Sequence, residues 1–144
     1  MTRESETGRI LGLDLGDVRI GVAISAPERR LAVPLGTVHT GAPADLRAIA
    51  KLVHDNDVTL VVLGYPLRMS GEAGSRAAHA DAFAQALRSA LDIPVVLHDE
   101  RLSTVEAERA LREAGAKGRD RRRSIDRSAA TVILQSYLDG SPRA

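Results

Sequence analysis

Residues Val58 to Leu63 (VTLVVL) form a nearly continuous apolar run, preceded by Asn56 and Asp57 and stopped by Gly64 and Pro66. A half-exposed strand alternates apolar with polar residues; a run without that alternation needs cover on both faces. Helical patterns flank it. Before it, after Gly41-Ala42-Pro43, apolar residues at 46, 49, 50 and 53 recur with the spacing of a helix that Asn56 and Asp57 end. After it, a stretch through Gly71 and Gly74 leads to an Ala-rich helix expected over about Ser75 to Leu91, and Pro94 to Leu97 (PVVL) opens another short buried strand. Strand alternating with helix makes part of the sheet parallel, so the chain belongs to the α/β class.

The N-terminal part reads differently. Arg9 to Leu15 (RILGLDL) and Arg19 to Ser25 (RIGVAIS) are short apolar runs on either side of the turn-forming pair Gly16-Asp17, which predicts a β-hairpin. Leu31 to Val38 follows the turn signal Ala26-Pro27-Glu28-Arg29 as a third strand, and Pro34 assigns it to a sheet edge because proline cannot donate to a ladder. Toward the C-terminus, Ser103 and Glu106 have the spacing of a capping box, predicting a helix from about Thr104 to Ala114 with Gly115 past its end. A basic loop, Lys117 to Arg127 (KGRDRRRSIDR), comes next. Within it Ser124 is placed to cap a last helix through Tyr137, with Ile125, Ala129, Ile133 and Leu134 among its apolar positions. No repeat or linker divides residues 1–144, so one domain is expected, with 1–8 and 141–144 as flexible termini.

Composition excludes several chemistries. The chain has no cysteine, which removes disulfides, thiolate nucleophiles and Cys-ligated zinc; a metal would bind oxygen or imidazole. Phe83, Tyr65 and Tyr137 are the only aromatic residues, too few for the stacking platforms of single-strand binders. The start MTRESETGRI lacks the apolar segment of a signal peptide and no run approaches a membrane span, so no membrane is expected and the cytoplasm is the default location. The formal net charge of +1 conceals the basic segment Lys117 to Arg127, which carries six basic residues against two acidic ones. Such a run is either a solvated loop or a phosphate-binding element.

Three carboxylates stand where ionised groups call for explanation. Asp14 lies near the end of an otherwise apolar strand, where a buried charge needs a partner or a metal, although an Asp two residues before a glycine also suits a turn. Asp99 and Glu100 follow VVLH at the carboxyl end of a parallel strand, the edge at which open α/β sheets place their sites. Asp126 falls in the first turn of the expected last helix, where the helix dipole favours an acid. Together, Asp14, Glu100 and Asp126 would offer the hard oxygen ligands that Mg²⁺ or Mn²⁺ prefers. In a two-metal site the ions lie about 4 Å apart and assist phosphodiester hydrolysis without a protein nucleophile. The basic loop would then hold flanking phosphates.

The segments LGLDLGDVRIGVAIS (11–25), VVLGYPLRMSGEAGSRA (61–77), HDERLSTVEAERAL (98–111) and IDRSAATVILQSYLDG (125–140) together resemble the YqgF/RuvX family, bacterial RNase H-like proteins related to RuvC resolvases. The resemblance implies an RNase H-like fold, a five-stranded mixed sheet of order 3-2-1-4-5 flanked by helices. It implies divalent-metal nuclease activity with a role in maturing the 5′ end of precursor 16S rRNA. Residue by residue, the acids of the first, third and last motifs are Asp14, Glu100 and Asp126. Two departures stand out. Arg68 and Ser70 occupy polar positions of the loop after Gly64-x-Pro where the family usually reads like Leu-Asn-x-Asp-Gly. The basic residue usual before the last acid is supplied by Arg121, Arg122 or Arg123, and arginine can fork onto two phosphate oxygens where lysine acts as a point charge. In that strand order the fifth strand lies two spacings, about 9.6 Å, from the first, so Glu100 has to reach back across strand four. Asp99, on the opposite face by alternation, is the alternative second acid.

Arg19, Arg101, Lys117 and Arg121 to Arg123 are the candidate phosphate contacts. His98 could assist proton transfer or simply be hydrogen-bonded; Gly64-Tyr65-Pro66 shapes the turn after strand four, and Tyr65 could stack on a base. The expected partner is RNA, as precursor rRNA in the pre-ribosomal particle, with branched DNA as the alternative, bound by a monomer or weak homodimer. Competing readings are a dimeric Holliday junction resolvase and a catalytically silent RNA-binding scaffold on the ribosome. The first hairpin also resembles that of actin-like ATPases, but those clamp nucleotide between two such domains and 144 residues hold one.

Overall fold

A computed structural model describes residues 8–66, 74–100 and 118–140, with side chains in the last segment described from Ala129 onward. Three antiparallel strands open the chain: β1 (Arg9–Leu15), β2 (Arg19–Ser25) and β3 (Ala32–His39). Helix α1 (Ala44–Asp55) leads to β4 (Val58–Tyr65), α2 (Ser75–Ala90) leads to β5 (Val95–Asp99), and α3 spans Gly118–Gly140. The sheet order is β3-β2-β1-β4-β5, with β4 parallel to β1 and β5 parallel to β4, as the resemblance implies.

The expected turns form for local reasons. A Cβ at Gly16 would collide with the Arg19 carbonyl, so the hairpin between β1 and β2 tolerates only glycine there. Thr40 closes the same corner, its hydroxyl donating to the Gly16 carbonyl at 2.8 Å and its N–H to that of Val18 at 2.9 Å. After α1, Asn56 Nδ2 donates to the Leu52 carbonyl at 2.9 Å and Asp57 takes a left-handed conformation at φ 52°, one that a short polar side chain accepts. Pro34 does sit on an edge strand. Beside it the ladder skips from Val22↔Gly36 to Ala23↔Pro34, leaving Leu35 as the extra residue of a bulge.

Strand alternation divides the core in two. Leu11, Leu13, Val61, Leu63 and Val95 face α1 and α2, meeting Ile49, Phe83, Ala84 and Leu87. Ile10, Leu60 and Val62 face α3, meeting Ala130, Ile133, Leu134 and Leu138. Burial on both faces is what the unbroken run at 58–63 demands, and each large apolar side chain so enclosed contributes about 1.5–3 kcal/mol.

Helix α3 departs from expectation. It begins at Gly118, not at a cap on Ser124, so Arg121, Arg122 and Arg123 belong to a helix rather than a loop, and Asp126 lies in the third turn instead of the first. Arginine is a good helix former and no glycine or proline interrupts residues 119–126, so dense charge here does not mean absence of regular structure. In the third turn Asp126 gains nothing from the helix dipole, whose effect fades beyond the first turn. The helix expected over Thr104 to Ala114 lies outside the described residues. No helix among the described residues is long and apolar enough to cross a membrane.

Candidate active site

The site builds outward from β1. Alternation that sends Leu11 and Leu13 toward α1 and α2 turns Ile10, Gly12 and Asp14 toward α3, and Asp14 is half-buried there. Across one ladder Asp14 pairs with Gly21 of β2; across the other, the register Leu13↔Leu63, extended by one residue, places Gly64 of β4 beside it. Gly64 in turn pairs with His98 of β5. Asp14, Gly64 and His98 thus form one row across the carboxyl edge of the three parallel strands, all on the α3 face.

Glu100 follows β5 directly and reaches back over this row. A Cβ built on Gly64 would lie 3.0 Å from Glu100 Oε2 and 3.1 Å from its Cγ, so the carboxylate sits above strand four, where the next strand over carries Asp14. Adjacent strands are separated by about 4.8 Å, which brings the two acids to neighbouring positions in spite of the two-strand gap between β1 and β5. Asp99 pairs with Tyr65 on the opposite row, where Tyr65 packs against the α1 and α2 core, so it does not share Asp14's face.

Asp126 is carried by α3, whose approach to the sheet is unusually close. A Cβ on Gly12 would stand 2.7 Å from Leu134 Cβ and 3.3 Å from the Ala130 carbonyl oxygen. From that contact Asp14 is two residues further along β1, about 6.7 Å, and Asp126 is one turn back along the helix, about 6 Å. Gln135 Oε1 accepts from the Ala32 N–H at 2.9 Å, and Ala32 pairs with Ser25, whose hydroxyl accepts from the Ile10 N–H, so the later turns of α3 lie toward Ile10 and the earlier ones toward Asp14. Among the described residues no group of three or more His, Asp or Glu side chains is assembled; the side chain of Asp126 is outside that set.

The basic candidates divide. Arg19 is exposed at the start of β2, at the same sheet edge as Asp14. Arg121, Arg122 and Arg123 lie in the first two turns of α3. Arg101 and Lys117 lie outside the described residues. A cleft of about 170 Å³ adjoins Glu100, lined also by Leu15, Asp17, Pro66, Arg76 and His79. Arg76 and His79 are not among the residues that the sequence singles out for the site, although an arginine and a histidine three residues apart at the start of the helix after β4 are a legible signal.

His98 is committed elsewhere. Its Nε2 lies 2.9 Å from Ser136 Oγ and its ring meets Tyr137 edge-on, centroids 5.8 Å apart at 89°. Burial pushes its pKa below the ordinary 6.5, with the nearby Asp99 charge acting in the other direction, which favours the neutral ring. Tyr65 packs its ring on the core and donates its hydroxyl to Asp81 at 3.0 Å.

A mixed five-stranded sheet in this order, flanked by helices, is the RNase H-like fold. T. thermophilus RuvC in complex with a Holliday junction substrate superposes with a TM-score of 0.54 at 15% identity, over 90% of this chain and 92% of that one. The family model for RuvX, described as a Holliday junction resolvase, matches residues 8–140. A relative from Anaeromyxobacter sp. (strain Fw109-5) is 49% identical over 92% of this chain and 97% of its own length. Another from Roseiflexus sp. (strain RS-1) is 45% identical over 94% and 96%. Both carry the name "Putative pre-16S rRNA nuclease". The chain belongs to the RuvX family.

Proposed function

We propose that this chain is a divalent-metal-dependent nuclease that hydrolyses phosphodiester bonds in RNA and acts in the cytoplasm on the 5′ end of precursor 16S rRNA in the pre-ribosomal particle. The names of the relatives support the substrate. The observation that carries the chemistry is the Glu100 carboxylate folded over Gly64 toward the strand that bears Asp14. Two acids drawn together in a half-buried place repel one another unless a cation lies between them.

In this reading Asp14, Glu100 and Asp126 hold Mg²⁺ or Mn²⁺, in a two-metal arrangement. Their oxygen donors suit hard cations. When bound, the ions supply the positive charge that lowers the barrier to phosphodiester hydrolysis. The protein's contribution is placement: β1 is an interior strand, β5 is paired along its length to β4, and α3 is seated on Gly12, so the acids arise from three elements of one core. Arg19, Arg101, Lys117, Arg121, Arg122 and Arg123 hold flanking phosphates, which positions the strand without reading its sequence. His98 serves the packing of α3 against β5 and takes no part in proton transfer.

A second reading, a resolvase acting as a dimer on four-way DNA, is favoured by the description of the family model. Labelled RNA spanning a pre-16S 5′ junction and four-way DNA, each incubated with Mg²⁺, Mn²⁺ or EDTA, separate the two. Metal-dependent cutting of RNA, lost in Asp14→Asn, is expected from a monomer or weak homodimer. Cutting of junctions alone by a stable dimer would establish the resolvase. Unchanged cutting by Asp14→Asn would remove the site, and RNA binding without cutting would leave a scaffold.

A further inference from the structure

Gly64 stands between the two described acids, and its backbone does not explain its presence. It lies inside β4, an extended strand paired on both sides, and has no left-handed φ that would demand glycine. Glycine in a strand interior carries an entropic penalty and offers nothing to pack, and it commonly marks a place where another group approaches closely. Here two groups do. A Cβ at this position would lie 2.8 Å from Ile133 Cδ1, 3.0 Å from Glu100 Oε2 and 3.1 Å from Glu100 Cγ.

These two approaches differ from the one at Gly12. There the obstacle is Leu134 Cβ and the Ala130 carbonyl, fixed parts of α3. At Gly64 the obstacles are side-chain atoms, the terminal methyl of the buried Ile133 and the Oε2 and Cγ of Glu100, which can shift with the fold kept. Ile133 would shift within an apolar cluster, at a cost to packing alone. Glu100 would have to give by a few tenths of an ångström above strand four, the strand that separates it from Asp14. A methyl group would press most closely on Ile133 and next on Glu100, and only the second displacement reaches a candidate ligand.

We infer that Gly64 is a positioning residue: the space left by its missing side chain lets Glu100, from β5, bring its carboxylate across β4 to the Asp14 side. The inference rests on the reading of Asp14 and Glu100 as ligands of one divalent-cation site. Gly64 touches neither substrate nor ion in this account and acts through Glu100.

Mn²⁺ binding to the full chain without nucleic acid, followed by electron paramagnetic resonance of the free ion together with thermal melting, tests this. The variants are Glu100→Gln, Gly64→Ala, Ile133→Val, Gly64→Ala with Ile133→Val, and Gly64→Ala with Glu100→Gln. Gly64→Ala is expected to weaken Mn²⁺ binding by about tenfold or more, the scale of losing a group that orients a metal ligand. Ile133→Val removes Cδ1, so adding it to Gly64→Ala should bring the melting temperature back to that of Ile133→Val alone while Mn²⁺ binding stays weak. With Glu100→Gln already present, Gly64→Ala should cause no further loss. Recovery of Mn²⁺ binding along with stability would instead make Gly64 a packing residue for α3 and overturn the inference. So would wild-type binding by Gly64→Ala, or losses that multiply in the Glu100→Gln background. If Glu100→Gln binds Mn²⁺ as tightly as wild type, Glu100 is no ligand and the functional reading falls together with this one; weak binding by Glu100→Gln with intact binding by Gly64→Ala overturns the inference alone.

Discussion

Gly12 of β1 lies directly beneath Leu134 of α3, with 2.7 Å between Leu134 Cβ and the point a Gly12 Cβ would occupy. This close approach sets the height of α3 above the sheet, and with it the distance between Asp14, two residues along the strand, and Asp126, two turns before Leu134. Because the obstacle is a backbone-proximal atom, the helix itself would have to move to admit a methyl group. Gly12→Ala is therefore expected to destabilise the protein by about 1–3 kcal/mol, the usual cost of overpacking, in urea denaturation. Nuclease activity should fall more than the loss of folded protein explains. A variant as stable as wild type would show that α3 does not bear on Gly12.

The bond between His98 and Ser136 holds the end of β5 to α3. Ser136→Ala removes the partner of a half-buried ring nitrogen, and leaving such a group unsatisfied costs about 1–3 kcal/mol. Chemical denaturation should register that loss, while cleavage at pH 7 by the folded variant should stay within a few-fold of wild type, because the proposed function gives His98 a packing role only. A collapse of activity with unchanged stability would return His98 to the catalytic set.

The Tyr65 phenol is expected to ionise above its ordinary value of 10, first because its hydroxyl donates to the Asp81 carboxylate, then through burial and the Asp81 charge. The sign follows from linkage: a folded pKa raised above the unfolded one adds stability below pH 10, and that share is lost as pH rises through the folded value. The chain has no tryptophan, so in a Tyr137→Phe background the phenolate absorbance near 295 nm reports Tyr65 alone. Asp81→Asn should bring its titration down toward 10; no change would mean that the bond does not persist in solution.

Arg121, Arg122 and Arg123 are proposed to hold phosphates along the RNA. Replacing all three with glutamine, itself a good helix former, should leave α3 helical by circular dichroism and weaken RNA binding similarly for unrelated sequences. The slope of log K against log salt should fall by about 0.7 for each single-strand phosphate that is no longer neutralised. An unchanged slope would place these side chains away from the nucleic acid.

Much of this molecule is legible in local sequence because local interactions decide it. The hairpin at Gly16-Asp17, the edge position of Pro34, the end of α1 at Asn56-Asp57 and the two-sided burial of residues 58–63 each depend on a few neighbours in the chain. The start of α3 is harder to read, because the dense charge of Arg121 to Arg123 suggests solvation, whereas their helix propensity and the absence of a breaker outweigh it. The choice between Asp99 and Glu100 lies beyond any local rule. It depends on which face α3 covers, on the row that Gly64 and His98 form with Asp14, and on the close approach of Glu100 and Ile133 over Gly64, which arises only once β4, β5 and α3 are packed together. Alternation along a strand is written in the sequence, but the meeting of side chains from β1 and β5 across an intervening strand is a property of the assembled sheet.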